Sequence, residues 1–155
     1  MEQFKITTFE KENPGKNFPK YREASSLELQ EIQRDLRKIL CIGNESSVLD
    51  ITEGVRCNTD WLEIENAETD GFSIKATLKG VGVTPAGDLF INWHRYDKAD
   101  VMSLELLNEY FDYLWYPGPD DIEVFDQSLS WILTIRHDGV VGIWLPMMPT
   151  ELSGQ

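Results

Sequence analysis

Residues 120–146 read Asp-Asp-Ile-Glu-Val-Phe-Asp-Gln-Ser-Leu-Ser-Trp-Ile-Leu-Thr-Ile-Arg-His-Asp-Gly-Val-Val-Gly-Ile-Trp-Leu-Pro. This stretch decides the fold class. Side chains alternate across a strand, and apolar residues dominate both phases of the alternation here. That is the pattern of central strands covered on two sides. Asp138-Gly139 is a hairpin signal, because a two-residue type I′ turn needs positive φ at both central positions. A turn at those two residues pairs Arg136 with Val141, Thr134 with Ile143 and Leu133 with Trp144. It puts Trp131, Leu133, Ile135, Gly142 and Trp144 on one face. Ile132, Thr134, Val141, Ile143 and Leu145 fall on the other. Ile122 to Asp126 is the strand before, joined through residues 127–130.

Working outward, Pro117-Gly118-Pro119 stops a helix whose buried side is Leu104, Leu107, Phe111 and Leu114. Asp100 is its expected N-cap. An earlier helix opens at Ser25-Ser26-Leu27-Glu28, a capping box, and carries Leu29, Ile32, Leu36, Ile39 and Leu40 at helical spacing. Gly43 or Asn44 is expected to end it. Phe72 to Val83 alternates as a half-buried strand, with Leu89 to Tyr96 as its hairpin partner. Short strands are expected near residues 48–51 and 61–65. Residues 1–24, with Phe4, Ile6, Phe9, Phe18 and Tyr21 around Pro14-Gly15, read as an extended arm, and residues 147–155 as a tail. The expectation is therefore one α+β domain, with an antiparallel sheet of about five to seven strands and two main helices.

The chain has 155 residues, 41% of them hydrophobic, which supports a folded core. No run approaches the ~20 apolar residues of a membrane span, the first residues lack the apolar core of a secretory signal, and there are two cysteines. A reduced, cytoplasmic protein is the expectation. The formal net charge is −13, which opposes direct nucleic-acid binding and favours a basic protein partner. The charge is concentrated. Residues 44–70 hold eight acids against Arg56, and residues 97–126 hold nine against Lys98.

Motifs for chemistry are sparse. The histidines are His94 and His137, without metal-ligand spacing. Lys79-Gly80-Val81-Gly82-Val83 lacks the Gly-Lys-Ser/Thr of a phosphate loop. Asp120 has no following Asp-x-Lys or Glu-x-Lys, so a nuclease metal pair lacks its lysine. No serine stands in Gly-x-Ser-x-Gly, and Cys41 at the end of an apolar stripe reads as core. No cofactor, metal or catalytic residue is assigned. What remains is the surface. Residues 93–126 mix acids with more aromatics than one helical stripe can bury, and aromatics ringed by charge suit an interface. The partner-binding residues expected are Asp97, Asp100, Glu105, Glu109, Asp112, Tyr113, Tyr116, Asp120, Asp121 and Glu123. The acids of 44–70, with Asp50, Glu53, Asp60 and Glu63, are the next candidate.

The acidic α+β chain with Asp120-Asp121-Ile122-Glu123-Val124-Phe125-Asp126, Leu129-Ser130-Trp131-Ile132-Leu133 and His137-Asp138-Gly139 resembles bacterial immunity proteins, the cytosolic partners of polymorphic and contact-dependent growth inhibition toxins. The likeness spans about 25 residues. It implies a binder that occludes a basic toxin domain, often a nuclease, and carries over no catalytic residue. Two other readings stay open: a small enzyme using carboxylates such as Asp97, Asp100 and Asp121, and an acidic adaptor.

Overall fold

In a computed structural model, which describes residues 1–64 and 66–146, the elements run in this order. Helix α1 is Gln3–Glu12 and strand β1 Arg22–Glu23; α2 is Ser26–Ile39 and α3 Val48–Cys57. Strand β2 is Asp60–Trp61, α4 Ile74–Gly80, β3 Leu89–Asn92 and β4 Ala99–Met102. Then come α5 Leu104–Glu109, α6 Phe111–Leu114, β5 Ile122–Phe125, β6 Ile132–Ile135 and β7 Val141–Trp144. The strands form one antiparallel sheet in the order β1-β4-β3-β5-β6-β7-β2. The α+β class and the antiparallel sheet agree with the sequence reading.

Both faces of the sheet are covered, as the apolar pattern of the central strands requires. Leu89, Ile91, Ile122, Val124, Leu133, Ile135, Val141 and Ile143 pack in a cluster with Ile74 and Leu78 of α4, Leu107 of α5, and Phe111 and Leu114 of α6. On the opposite face Phe90, Val101, Phe125, Ile132 and Trp144 meet Ile32 and Leu36 of α2 and Ile51 and Val55 of α3. The tail expected at 147–155 lies outside the described residues.

The β6–β7 hairpin forms one residue out of the expected register. Ile135 faces Val141, Thr134 faces Gly142, Leu133 faces Ile143 and Ile132 faces Trp144. The loop has three residues, not two. Gly139 N–H donates to Arg136 O at 2.8 Å, and Arg136 N–H donates to Val140 O at 2.9 Å. Gly139 has φ 78°, whereas Asp138 stays out of the left-handed region. This is a type I turn followed by a left-handed glycine, the common three-residue hairpin. A shift of one residue flips every side chain of a strand. Val141 and Ile143 therefore join the Leu133 face, and Trp144 crosses to the Ile132 face.

Period-two readings fail where helices form. Residues 72–83 contain α4, capped by the Ser73 side chain, with Ile74 and Leu78 buried one turn apart. Its apparent alternation came from Lys75 and Lys79 on the outer side. Residues 48–51 open α3, whose capping box is Ser47 with Asp50. The expected extended arm contains α1, whose buried side is only Lys5 and Phe9, so it shows no apolar stripe. Asp100 lies inside β4, and Ser103 caps α5. Helix α2 keeps its capping box but ends early, at Leu40. Cys41 takes φ 55°, Ile42 N–H donates to Arg37 O, and Cys41 N–H donates to Lys38 O. That pairing is a Schellman end with cysteine where glycine is usual. Cys41 is exposed rather than core.

Candidate functional site: two acidic regions

Residues 97–126 form only part of the acidic surface expected of them. Asp100 is fully buried, 2.7–2.8 Å from the amino group of Met1, and accepts a hydrogen bond from Trp93 Nε1 at 2.8 Å. Asp120 is buried against Lys5 Nζ at 2.7 Å and accepts from Tyr116 N–H at 2.8 Å. Lys5 is itself fully buried. It donates to Leu114 O at 2.7 Å and lies 3.9 Å from the centroid of the Trp93 ring. Glu123 is fully buried and accepts from Asn92 Nδ2 at 2.7 Å. Asp126, outside the expected set, is buried among Trp131 Nε1, Ala86 N–H and Ser128. As contact residues, Asp100, Asp120 and Glu123 are corrected: all three are buried, the first two against a cationic amine and Glu123 against the Asn92 amide.

Asp121 is half-buried. It accepts from His137 N–H at 2.8 Å, has His137 Nδ1 at 3.0 Å and accepts from Arg56 Nη2 at 3.2 Å. Burial opposes its ionisation. The His137 hydrogen bonds and the neighbouring His94 and Arg56 outweigh that and hold its pKa below the ordinary aspartate value. Tyr113 and Tyr116 are half-buried because α1 covers them. Phe9 meets Tyr113 edge-on at 5.0 Å between centroids, and Phe4 lies 5.5 Å from Tyr116. The aromatics that one stripe could not bury are taken up by a helix the sequence pattern did not reveal. Asp97, Glu105, Glu109 and Asp112 do face outward.

A polar row crosses the face of the sheet beneath α2 and α3. Asn92 pairs with Glu123, Glu123 with Thr134 and Thr134 with Gly142, across β3, β5, β6 and β7. His94 Nδ1 stands 3.4 Å from Glu123 Oε1. Among the described residues, these two atoms, Tyr96 Oη and Thr134 Oγ1 are buried without a hydrogen-bond partner. Burial, and then the charge of Glu123, push the Tyr96 hydroxyl pKa well up. The β3–β4 loop above the row holds two non-glycine residues at positive φ, His94 at 73° and Tyr96 at 52°. Such strain persists only where packing enforces it. A cavity of about 620 Å3 opens beside the loop, lined by Trp93, His94, Arg95, Asp97, Lys98, Asp120 and Asp121, with Met1, Glu2 and Pro119. Asp97 and Asp121 thus share a cavity, while Asp100 is held apart by the Met1 amine. Among the described residues, no three His, Cys, Asp or Glu side chains are grouped to hold a metal ion.

The second acidic segment is built in the opposite way. Glu45, Asp50, Glu53, Asp60, Glu63, Glu68 and Asp70 are all exposed, and Glu65 lies outside the described residues. The segment runs through α3 into β2, which among the described residues is the last strand of the sheet and pairs only with β7. Trp61 lies across Gly142, where a Cβ would collide with the indole and with Thr59. Trp61 stays 40% exposed, with the Arg136 guanidinium 5.4 Å from its ring centroid. Ile64 is 47% exposed. Beyond β2 the chain is tied to the hairpin: Asn66 Nδ2 donates to Asp138 O at 2.8 Å, and Ala67 N–H donates to Gly139 O at 2.9 Å. A groove of about 400 Å3 follows, between residues 62–64 and α4. The signal for α3 was present in Ser47-Val48-Leu49-Asp50, a capping box with aspartate in the glutamate position.

No family model, curated protein or solved structure matches the chain. Among the described residues no helix is long and apolar enough to cross a membrane.

Proposed function

We propose that this protein is an immunity-type inhibitor, which binds a basic toxin domain, a nuclease among the candidates, and that its contact face is the acidic β2 edge rather than residues 97–126. One observation carries this reading: the seven described acids of residues 44–70 are all exposed, in the same segment as the half-exposed Trp61 and Ile64. A nuclease must be basic where it grips phosphates, so an acidic face both steers association and covers that site. Aromatic and branched anchors inside a charged rim supply the short-range part of such contacts. The test is capture of a basic toxin domain co-expressed with the chain, and survival of the cells that make both. Lysine at Asp60, Glu63 and Glu68 should abolish protection while leaving the fold intact. Protection unchanged by that triple variant would sink the reading.

A carboxylate-dependent enzyme remains the second reading because His94, Asp97 and Asp121 line one cavity, with Glu123 behind His94. Turnover of a small substrate, lost in His94→Gln, would favour it. An adaptor would use the same acidic face for an unrelated basic protein.

A further inference from the structure

The groove beside the acidic edge has walls of different chemistry from its surroundings. Leu62, Ile64, Phe72, Ala76 and Val81 line it, and Gly71 and Gly80 leave its margins open. Its volume, about 400 Å3, is in the range of pockets that take a compact apolar group. The approach to it is acidic. Glu63 stands in the wall, Asp60 precedes it, and Glu68 and Asp70 are exposed on the loop that returns to Gly71. The exposed bases nearby in sequence are Lys75 and Lys79 on α4, and Lys75 is turned toward Glu105 at 4.0 Å.

We propose that this groove is the anchor pocket of the interface, and that it takes one large apolar side chain, of leucine, phenylalanine or tryptophan size, carried on a basic segment of the partner protein. The proposal rests on the inhibitor reading above. Burying such a side chain is favourable in proportion to its apolar area, and anchors seated in pockets dominate protein interfaces. Charge selects the carrier. Glu63 in the groove wall, with exposed Asp60, Glu68 and Asp70 on the segments that lead to it, attracts lysine and arginine beside the anchor. These acids disfavour a second copy of this chain, which would bring the same acids against them.

Three short synthetic peptides test this against the full-length protein: a lysine- and arginine-rich peptide with one central tryptophan, the same peptide with alanine there, and an acidic peptide with the tryptophan. The basic tryptophan peptide should bind about tenfold or more tighter than its alanine counterpart, with the largest amide shifts at Ala76, Thr77 and Gly80. Ala76 is exposed on α4 and lines the groove. Ala76→Phe should therefore fill the groove without touching the core, and bring the tryptophan peptide down to the alanine level with no change in melting. Lysine at Asp60 and Glu63 should weaken both basic peptides alike. Equal affinity of the two basic peptides overturns the anchor and leaves the acidic-face reading standing. Equal binding of the acidic peptide overturns the choice of a basic carrier. A dimer of the protein alone that Ala76→Phe dissolves assigns the groove to a second copy and overturns the proposal. Binding of no peptide also overturns it, and the inhibitor reading is then decided by the co-expression experiment.

Discussion

Residues 44–70 and 97–126 carry nearly the same formal charge, −7 and −8, and the fold spends it in opposite ways. In the second region Asp100, Asp120, Glu123 and Asp126 are buried, and four of the nine acids remain fully exposed. In the first, every described acid is exposed. The cause is position relative to the sheet. Residues 97–126 include two interior strands, β4 and β5, so their acids must either find an internal partner or be excluded from the core. They find the Met1 amine, Lys5, Asn92 and Trp131. Residues 44–70 form an outer helix and an edge strand, where acids can stay in water. Net charge along a sequence is therefore not surface charge until the strands are placed.

The largest expected effect breaks an internal pair. Asp120→Ala leaves the buried Lys5 ammonium with the exposed Glu2 carboxylate at 3.5 Å in place of its close buried partner, and removing one partner of such a buried pair costs about 3–5 kcal/mol. Denaturant melts read this directly. The double replacement Lys5→Met with Asp120→Leu should recover most of the loss, since apolar groups of similar volume often replace a buried pair at little cost. A loss below about 0.5 kcal/mol in Asp120→Ala, the scale of surface changes, would put Asp120 on the surface and erase the contrast.

A smaller effect is expected where the two regions meet at the hairpin. Gly139→Ala demands a left-handed alanine and drives its Cβ into Asn66. Strain of this kind costs about 1–3 kcal/mol. Deleting the amide contact by Asn66→Ala should relieve the clash and make the cost of Gly139→Ala smaller. Additive losses in the double variant would show that the loop does not rest on the hairpin.

Acidification should also read the half-buried and buried acids. Burial raises the Asp126 pKa, but donation from Ala86 N–H, Ser128 and Trp131 outweighs it and holds the carboxyl below the ordinary range, as for Asp121. A carboxyl whose folded pKa is depressed adds stability above its unfolded pKa and loses it as pH falls through the folded value. Stability should therefore decline below about pH 4, and Asp126→Asn or Asp121→Asn should flatten that decline. Glu28 behaves likewise in the first turn of α2: the Arg22 hydrogen bond, then that of Ser25 N–H, lowers it to about 2. Its carboxylate resonance should titrate near that value. An ordinary glutamate midpoint would show that the Arg22 pair does not persist in solution.

The smallest stability effect belongs to the outer acids. Lysine at Asp60, Glu63 and Glu68 should change unfolding free energy by about 0.5 kcal/mol or less per site. A larger loss would mean that these acids have partners in the fold and that the β2 edge is structural.

The legible parts of the fold were those set by local rules. Strands β5, β6 and β7 announced themselves through apolar runs, and α2 through its capping box and stripe. The register of β6 and β7 was not legible, because Asp-Gly serves both two- and three-residue loops with Gly139 left-handed in each, and the Asp138 conformation decides between them. Helix α4 was hidden because Ile74 and Leu78 are in phase for both a strand and a helix. Helix α1 was hidden because its buried side includes a lysine. That lysine is also why the candidate site shifted. Without Lys5 and the Met1 amine in place, Asp100 and Asp120 read as free surface charge. The β2 edge was visible only as charge, since Trp61 and Ile64 are exposed by the end of the sheet and not by any sequence pattern.

On the inhibitor reading proposed above, partner contact belongs to residues 44–70. The most direct measurement is the association rate of a basic toxin domain with two triple variants at several salt concentrations. One carries lysine at Asp60, Glu63 and Glu68, the other at Glu105, Glu109 and Asp112. The β2-edge variant should associate about 10- to 1000-fold more slowly at low salt, the range of electrostatic steering, with the gap closing as salt rises. The variant at Glu105, Glu109 and Asp112 should stay much closer to wild type. The reverse order, with the second variant slowed and the first unaffected, would contradict the account and return the interface to residues 97–126.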